Sequence, residues 1–100
     1  MVDIKKTALH YQNYLKLDKI LQAQFPMSKG LGDESHDEML FIIVHQVYEL
    51  WFKQILFELD SVLGIFKANN VEESDVSLGV SRLNRIIEIQ KVLIDQIRIL

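Results

Sequence analysis

The sequence predicts an all-α protein: a bundle of long helices, one short N-terminal helix followed by two long antiparallel ones. Three observations carry this expectation. Residues 36–60, HDEMLFIIVHQVYELWFKQILFELD, form the densest apolar run, and large side chains recur there three and four residues apart, the spacing that shares a helical face. Leu83, Ile86, Gln90, Leu93, Ile97 and Leu100 step 3-4-3-4-3, the seam of a coiled-coil-like packing. Pro26, Gly30 and Gly32 punctuate the stretch before the apolar run, which marks it as a loop.

In chain order, residues 1–12 read as a loose arm. Leu17, Ile20 and Leu21 follow at helical spacing, so a short helix is expected over about 13–24, ended by Pro26. On the residues alone, Tyr11 and Tyr14 read as core packing with their hydroxyls at the surface. Residues 25–34, FPMSKGLGDE, are a loop, and its two glycines make it the segment expected to move.

The central helix is expected over about 35–68. Ser35-His36-Asp37-Glu38 fits a capping box, in which the Ser35 hydroxyl accepts from the Glu38 amide and the Glu38 carboxylate reaches back. Asp37 and Glu38 also suit the positive end of the helix dipole. About thirty residues at 1.5 Å each give a rod of roughly 45 Å, which other helices must enclose. Phe41, His45, Tyr48, Phe52, Ile55 and Leu59 align as one stripe, which places an ionisable imidazole on the face expected to be buried. Gln46, Glu49, Lys53 and Asp60 give the wet face. Asn69-Asn70 suits a left-handed close.

The last helix is expected over about 74–100, capped from Asn70 or Ser74. Arg85, Glu88, Lys91 and Asp95 lie off its seam as a solvated face of mixed charge. The seam still runs at Leu100 with no closing glycine, which reads as a chain cut short on its C-terminal side. Residues 1–100 are thus expected to be a single helical segment of a larger helical domain.

Composition narrows the function classes. One hundred residues allow one small domain at most, and 49% apolar residues point to surface shared with partner chains. A net charge of −3 offers no basic patch for nucleic acid. No uninterrupted apolar run reaches the length of a membrane span, and residues 1–7 lack a signal-peptide core. The absence of cysteine excludes disulfides, thiolate metal sites and covalent haem attachment. A cytoplasmic protein without nucleic-acid or membrane partners is the expectation.

The candidate chemistry centres on His45, read either as a core histidine satisfied by a backbone carbonyl or as a hydrogen-bonding group lining an apolar cavity. His10 reads as surface, and His36 as a solvated group in the first turn. His45 and Glu49 are four apart, yet a helical di-iron site needs repeated Glu-x-x-His motifs, and the chain has none. No metal site is expected from these residues alone. A nucleophile elbow and a phosphate-binding glycine loop are also missing.

Two long motifs in order carry a resemblance: Tyr11-x-x-Tyr14-Leu15-x-Leu17-Asp18-Lys19-Ile20-Leu21-x-Ala23-Gln24, then Ser28, then His36-Asp37-Glu38-Met39-Leu40-Phe41-Ile42-Ile43-x-His45-Gln46-x-x-Glu49-Leu50-Trp51-Phe52-Lys53. This pattern resembles the N-terminal part of the tryptophan 2,3-dioxygenase family, strongly over 9–66 and more weakly in the last helix. The resemblance implies an all-helical homotetramer with non-covalent haem b. Its reaction inserts both atoms of O2 across the indole C2–C3 bond of L-tryptophan, giving N-formylkynurenine.

By the same resemblance, Phe41, Ile42, Ile43, Val44 and His45 form the substrate-contacting segment. Phe41 lines the distal haem pocket, and His45 is the catalytic distal histidine that bonds the indole N–H. Burial between Phe41 and Tyr48 is expected to keep that imidazole neutral. Tyr11, Tyr14 and Leu15 match residues that reach into a neighbouring subunit's pocket. The family's axial histidine, and the tyrosine and arginine that hold the substrate carboxylate, have no counterpart before Leu100. These residues alone are therefore expected neither to hold haem nor to turn over substrate. The rival expectation is a helical oligomerisation or interaction module without catalysis.

Overall fold

The computed structural model describes residues 10–100. The helices are α1 (Tyr11–Tyr14), α2 (Leu17–Ile20), α3 (Glu38–Lys67) and α4 (Glu73–Gln96), with short 3-10 turns at Met27–Gly30 and Ile97–Ile99. Among the described residues there is no strand, as an all-α fold requires. By internal contacts the chain divides into two units, Met1–Ile42 and Ile43–Leu100, and α3 runs through the boundary as one continuous helix.

In the first unit, the single helix expected over 13–24 is replaced by two single turns. Lys16 breaks it, with a left-handed backbone at φ 57° and ψ 41°. Its carbonyl then starts α2, accepting the Lys19 and Ile20 amides at 3.0 Å each. A one-turn helix has little cooperativity of its own, so such a break is readily tolerated. Gln24 closes α2 by donating its side-chain amide to the Ile20 carbonyl at 2.8 Å. Of the expected arm, residues 1–9 lie outside the described residues, and Tyr11 and Gln12 belong to α1.

The 3-10 turn follows Pro26, whose extended ψ of 124° points the chain into it. Gly32, at φ 78°, supplies the positive φ that brings the chain back toward α3. Helix α3 starts at Glu38, three residues later than expected, and the capping box at Ser35 is not the one formed. The Glu38 carboxylate reaches instead to Met27 and Ser28, and the Ser35 amide donates to the Ser28 hydroxyl. The loop folding back offers this carboxylate two amides and a hydroxyl at once.

In the second unit, α3 and α4 pack as an antiparallel pair. Their contacts run in opposite order: Tyr48 to Leu93, Glu58 to Arg85, Ser61 to Arg82, Phe66 to Gly79. Gly79 allows the closest approach, since a Cβ there would lie 3.0 Å from the Phe66 ring. The inner face of α3 is Val44, Tyr48, Trp51, Ile55, Glu58, Val62 and Ile65, buried or half-buried at steps of 4-3-4-3-4-3. The expected stripe shares only Tyr48 and Ile55 with it. Phe41, His45, Phe52 and Leu59 are exposed. One facing helix can cover only one stripe of α3, and the covered one contains the residues that pair with α4.

The seam of α4 is corrected in the same way. Gly79, Arg82, Ile86, Ile89, Leu93 and Gln96 face inward, while Leu83, Gln90, Ile97 and Leu100 are exposed. Arg85, expected on a solvated face, reaches across to Glu58, which is 4% exposed. The α4 cap is Glu72, neither Asn70 nor Ser74, with its amide donating to Asp75 Oδ2 at 3.1 Å. Regular α4 ends at Gln96, short of the expected 100, with a 3-10 turn beyond it. Asn69-Asn70 is not a left-handed close, since Lys16 is the only described non-glycine residue with positive φ.

By length and composition alone, α3 is long and apolar enough to cross a membrane. The expectation that no segment could do so counted uninterrupted apolar runs, and α3 qualifies only when its charged residues are averaged in. Its pairing with α4 through Glu58 and Arg85 is a feature of a helix packed on another helix.

Candidate functional site

The segment Phe41–His45 lies near the start of α3. The side chain of Phe41 is 58% exposed, Ile42 is half-buried, Ile43 is exposed and Val44 is 7% exposed. Val44 lies on the inner face of α3, and the next residue is rotated about 100° from it. That residue is His45, and it is exposed. The imidazole therefore stands on an outward stripe with Phe52 and Leu59 on the following turns. The burial expected between Phe41 and Tyr48 is not supplied by the described residues.

Tyr11, Tyr14 and Leu15 sit on or beside α1. The tyrosines are 55% and 69% exposed, which overturns their reading as core residues, and Leu15 is half-buried. Among the described residues, this one-turn helix presents both phenols outward.

At the head of α3 the Glu38 carboxylate takes three donors. Oε2 accepts from the Met27 amide at 3.0 Å, and Oε1 accepts from the Ser28 amide at 2.9 Å and from the Ser28 hydroxyl. The Ser28 hydroxyl, then the Ser28 amide, hold this carboxyl below its ordinary range against a smaller desolvation effect, with the Met27 amide adding to them. Ser28 was legible as part of a family motif, but its partner ten residues on lies outside any local capping window.

Along the outward face of α3, Phe52, Leu56 and Phe57 floor a shallow depression rimmed by Glu49, Lys53 and Asp60. All six belong to one helix, so it encloses nothing. Among the described residues no group of three His, Cys, Asp or Glu side chains is placed to hold a metal ion.

The sequence matches the family described as tryptophan 2,3-dioxygenase over residues 1–100. It is 53% identical over 97 residues to a tryptophan 2,3-dioxygenase of Bdellovibrio bacteriovorus, covering 97% of this chain and 27% of that protein. It is 55% identical over 91 residues to one of Alteromonas mediterranea, covering 91% and 25%. With one of Mus musculus it shares 50% over 96 residues, covering 95% and 24%. The chain spans about a quarter of the length of these relatives. With a family match along its whole length and half its residues shared with bacterial and animal relatives, the chain belongs to the tryptophan 2,3-dioxygenase family.

Proposed function

We propose that these residues form the distal side of the substrate pocket in a cytoplasmic, homotetrameric, haem-dependent dioxygenase that converts L-tryptophan and O2 to N-formylkynurenine. The observation that carries this reading is the outward stripe of α3: an exposed imidazole, His45, among exposed apolar rings, one residue past the buried Val44. The α3–α4 seam is built on a different stripe, and a pocket wall needs one that faces away from that seam. Family membership supports this choice of substrate and reaction class.

The residues present fit the distal side of a haem. Phe41 offers exposed apolar surface of the kind that covers a flat macrocycle, and the imidazole stands one turn beyond it. Phe41 would contact the group, whose anchoring ligand this stretch does not supply. When bound, the haem iron supplies binding and activation of dioxygen.

The part of His45 is orientation. An indole N–H is a very weak acid, so a ring nitrogen that accepts its hydrogen bond need not remove the proton. The bond fixes which edge of the indole meets the oxygen. Tyr11, Tyr14 and Leu15 close the pocket of a neighbouring subunit, a role favoured by the exposure of the two tyrosines.

Absorption spectroscopy of the full-length protein with added haem tests this reading. A Soret band that forms and shifts on addition of L-tryptophan is expected. A protein that binds no haem, or whose band ignores tryptophan, would favour a non-catalytic interaction module. Residues 1–100 alone, given haem and reductant, are expected to produce no N-formylkynurenine.

A further inference from the structure

We propose that Glu38 is a positioning residue: with Ser28 it latches the 27–35 loop to the first turn of α3, and so sets the start of the helix that carries Phe41. The ordinary task of a first-turn carboxylate is local, to cap amides of its own helix. Glu38 is used otherwise. Its two oxygens accept from the Met27 amide, the Ser28 amide and the Ser28 hydroxyl, and the Ser28 oxygen accepts in turn from the Ser35 amide at 3.0 Å. Both ends of the loop are thereby tied to one ionised group, and bonds to an ionised acceptor are the stronger kind.

Among the described residues, the loop's apolar side chains bury little surface. Met27 and Leu31 are among the most exposed apolar residues of the chain, and Gly32 needs its positive φ. Phe41 follows Glu38 by less than one turn, and its amide donates to the Asp37 carbonyl at 3.1 Å. A shift of the latch therefore reaches Phe41 through a single hydrogen-bonded turn. The functional consequence rests on the reading of Phe41–His45 as the substrate-contacting segment; the latch itself does not.

The test combines residue-resolved amide hydrogen exchange with steady-state kinetics on L-tryptophan in the full-length haem-loaded protein, for wild type, Glu38→Ala, Glu38→Gln and Ser28→Ala. Glu38→Ala is expected to speed exchange at Met27, Ser28 and Ser35 about tenfold or more, with mid-α3 amides unchanged. Glu38→Gln, which keeps one carbonyl acceptor, is expected to restore part of that protection. KM should rise severalfold in Glu38→Ala while kcat changes less. Unchanged exchange at Met27, Ser28 and Ser35 would overturn the latch. Faster exchange with KM and kcat both unchanged would overturn the positioning role. Should Glu38→Ala fail to fold, Ser28→Ala removes the hydroxyl link and is read in the same way. A wild-type protein that turns over no tryptophan would overturn the functional reading and the positioning role, while the exchange rates still decide the latch.

Discussion

The Tyr48 hydroxyl donates to the backbone carbonyl of Leu93 at 2.7 Å, joining the first third of α3 to the last turn of α4. Leu93 lies among the last four carbonyls of α4, which have no amide partner within the helix. The amides at the Ile97 cap turn to Ile94 and Asp95 instead. A tyrosine thus does the work of a C-cap and sets how far α4 runs along α3.

Removing that hydroxyl should loosen one end of the pair. Tyr48→Phe keeps the ring in the seam and leaves the Leu93 carbonyl without its partner, at a cost of about 1 kcal/mol. Amide exchange should quicken in the last turn of α4 and stay unchanged near Glu58. Equal loss along the whole helix would show that Tyr48 acts by packing instead.

Glu58 and Arg85 predict an asymmetric pair of variants. The Glu58 carboxylate is buried, with Arg85 Nη1 at 3.3 Å from each oxygen and Gln54 at 3.2 Å, while the Arg85 side chain is largely exposed. Arg85→Ala strands a buried charge and should destabilise by about 1–3 kcal/mol. Glu58→Leu leaves an arginine that can turn to water, so its cost should be smaller. Chemical denaturation of both variants checks the order, and a larger loss in Glu58→Leu would contradict it.

The Glu38 latch should weaken in acid. Its carboxyl is held below the ordinary range in the folded chain, so its contribution is fully present above the unfolded value and is lost as pH falls through the folded one. After correction for intrinsic rates, exchange at Met27 and Ser28 should rise only below the usual carboxylate range. Lys29, Asp33, Glu34, His36 and Asp37 lie in or beside the same loop, so the control is Glu38→Gln, in which the dependence should flatten.

Tyr11 and Tyr14 should act in trans. Mixing subunits that carry Tyr14→Ala with subunits slowed by His45→Ala should raise activity above that of either variant alone, because some pockets would then combine a native arm with a native His45. No recovery on mixing would show that the arm serves only its own subunit.

The existence of two long helices was legible from periodicity, though their caps and ends were not, and the family was legible from its two ordered motifs. The phase of the seam was not legible in the same way. Two series on α3 both step by three and four and share Tyr48 and Ile55: one runs also through Phe41, His45, Phe52 and Leu59, the other through Val44, Trp51, Glu58 and Val62. The buried series contains a carboxylate, Glu58, and only the partner at Arg85 makes that charge acceptable in a packed seam. Nothing in the local sequence singles out Gly79 or Arg82, whose roles depend on Phe66 and Ser61 standing opposite them. Lys16 breaks its helix with no glycine to announce it, and Glu38 finds its donors ten and eleven residues back in the chain.

The central claim is that His45 orients the indole without removing its proton, and turnover by His45→Ser and His45→Ala in the full-length enzyme tests it most directly. The N–H hydrogen bond should contribute on the order of 1 kcal/mol, more where its partner is left unpaired. Both variants should bind L-tryptophan more weakly and turn it over more slowly, with N-formylkynurenine still forming. Loss of all detectable activity, with haem bound and the fold intact, would show that His45 is an obligatory base and would contradict the account.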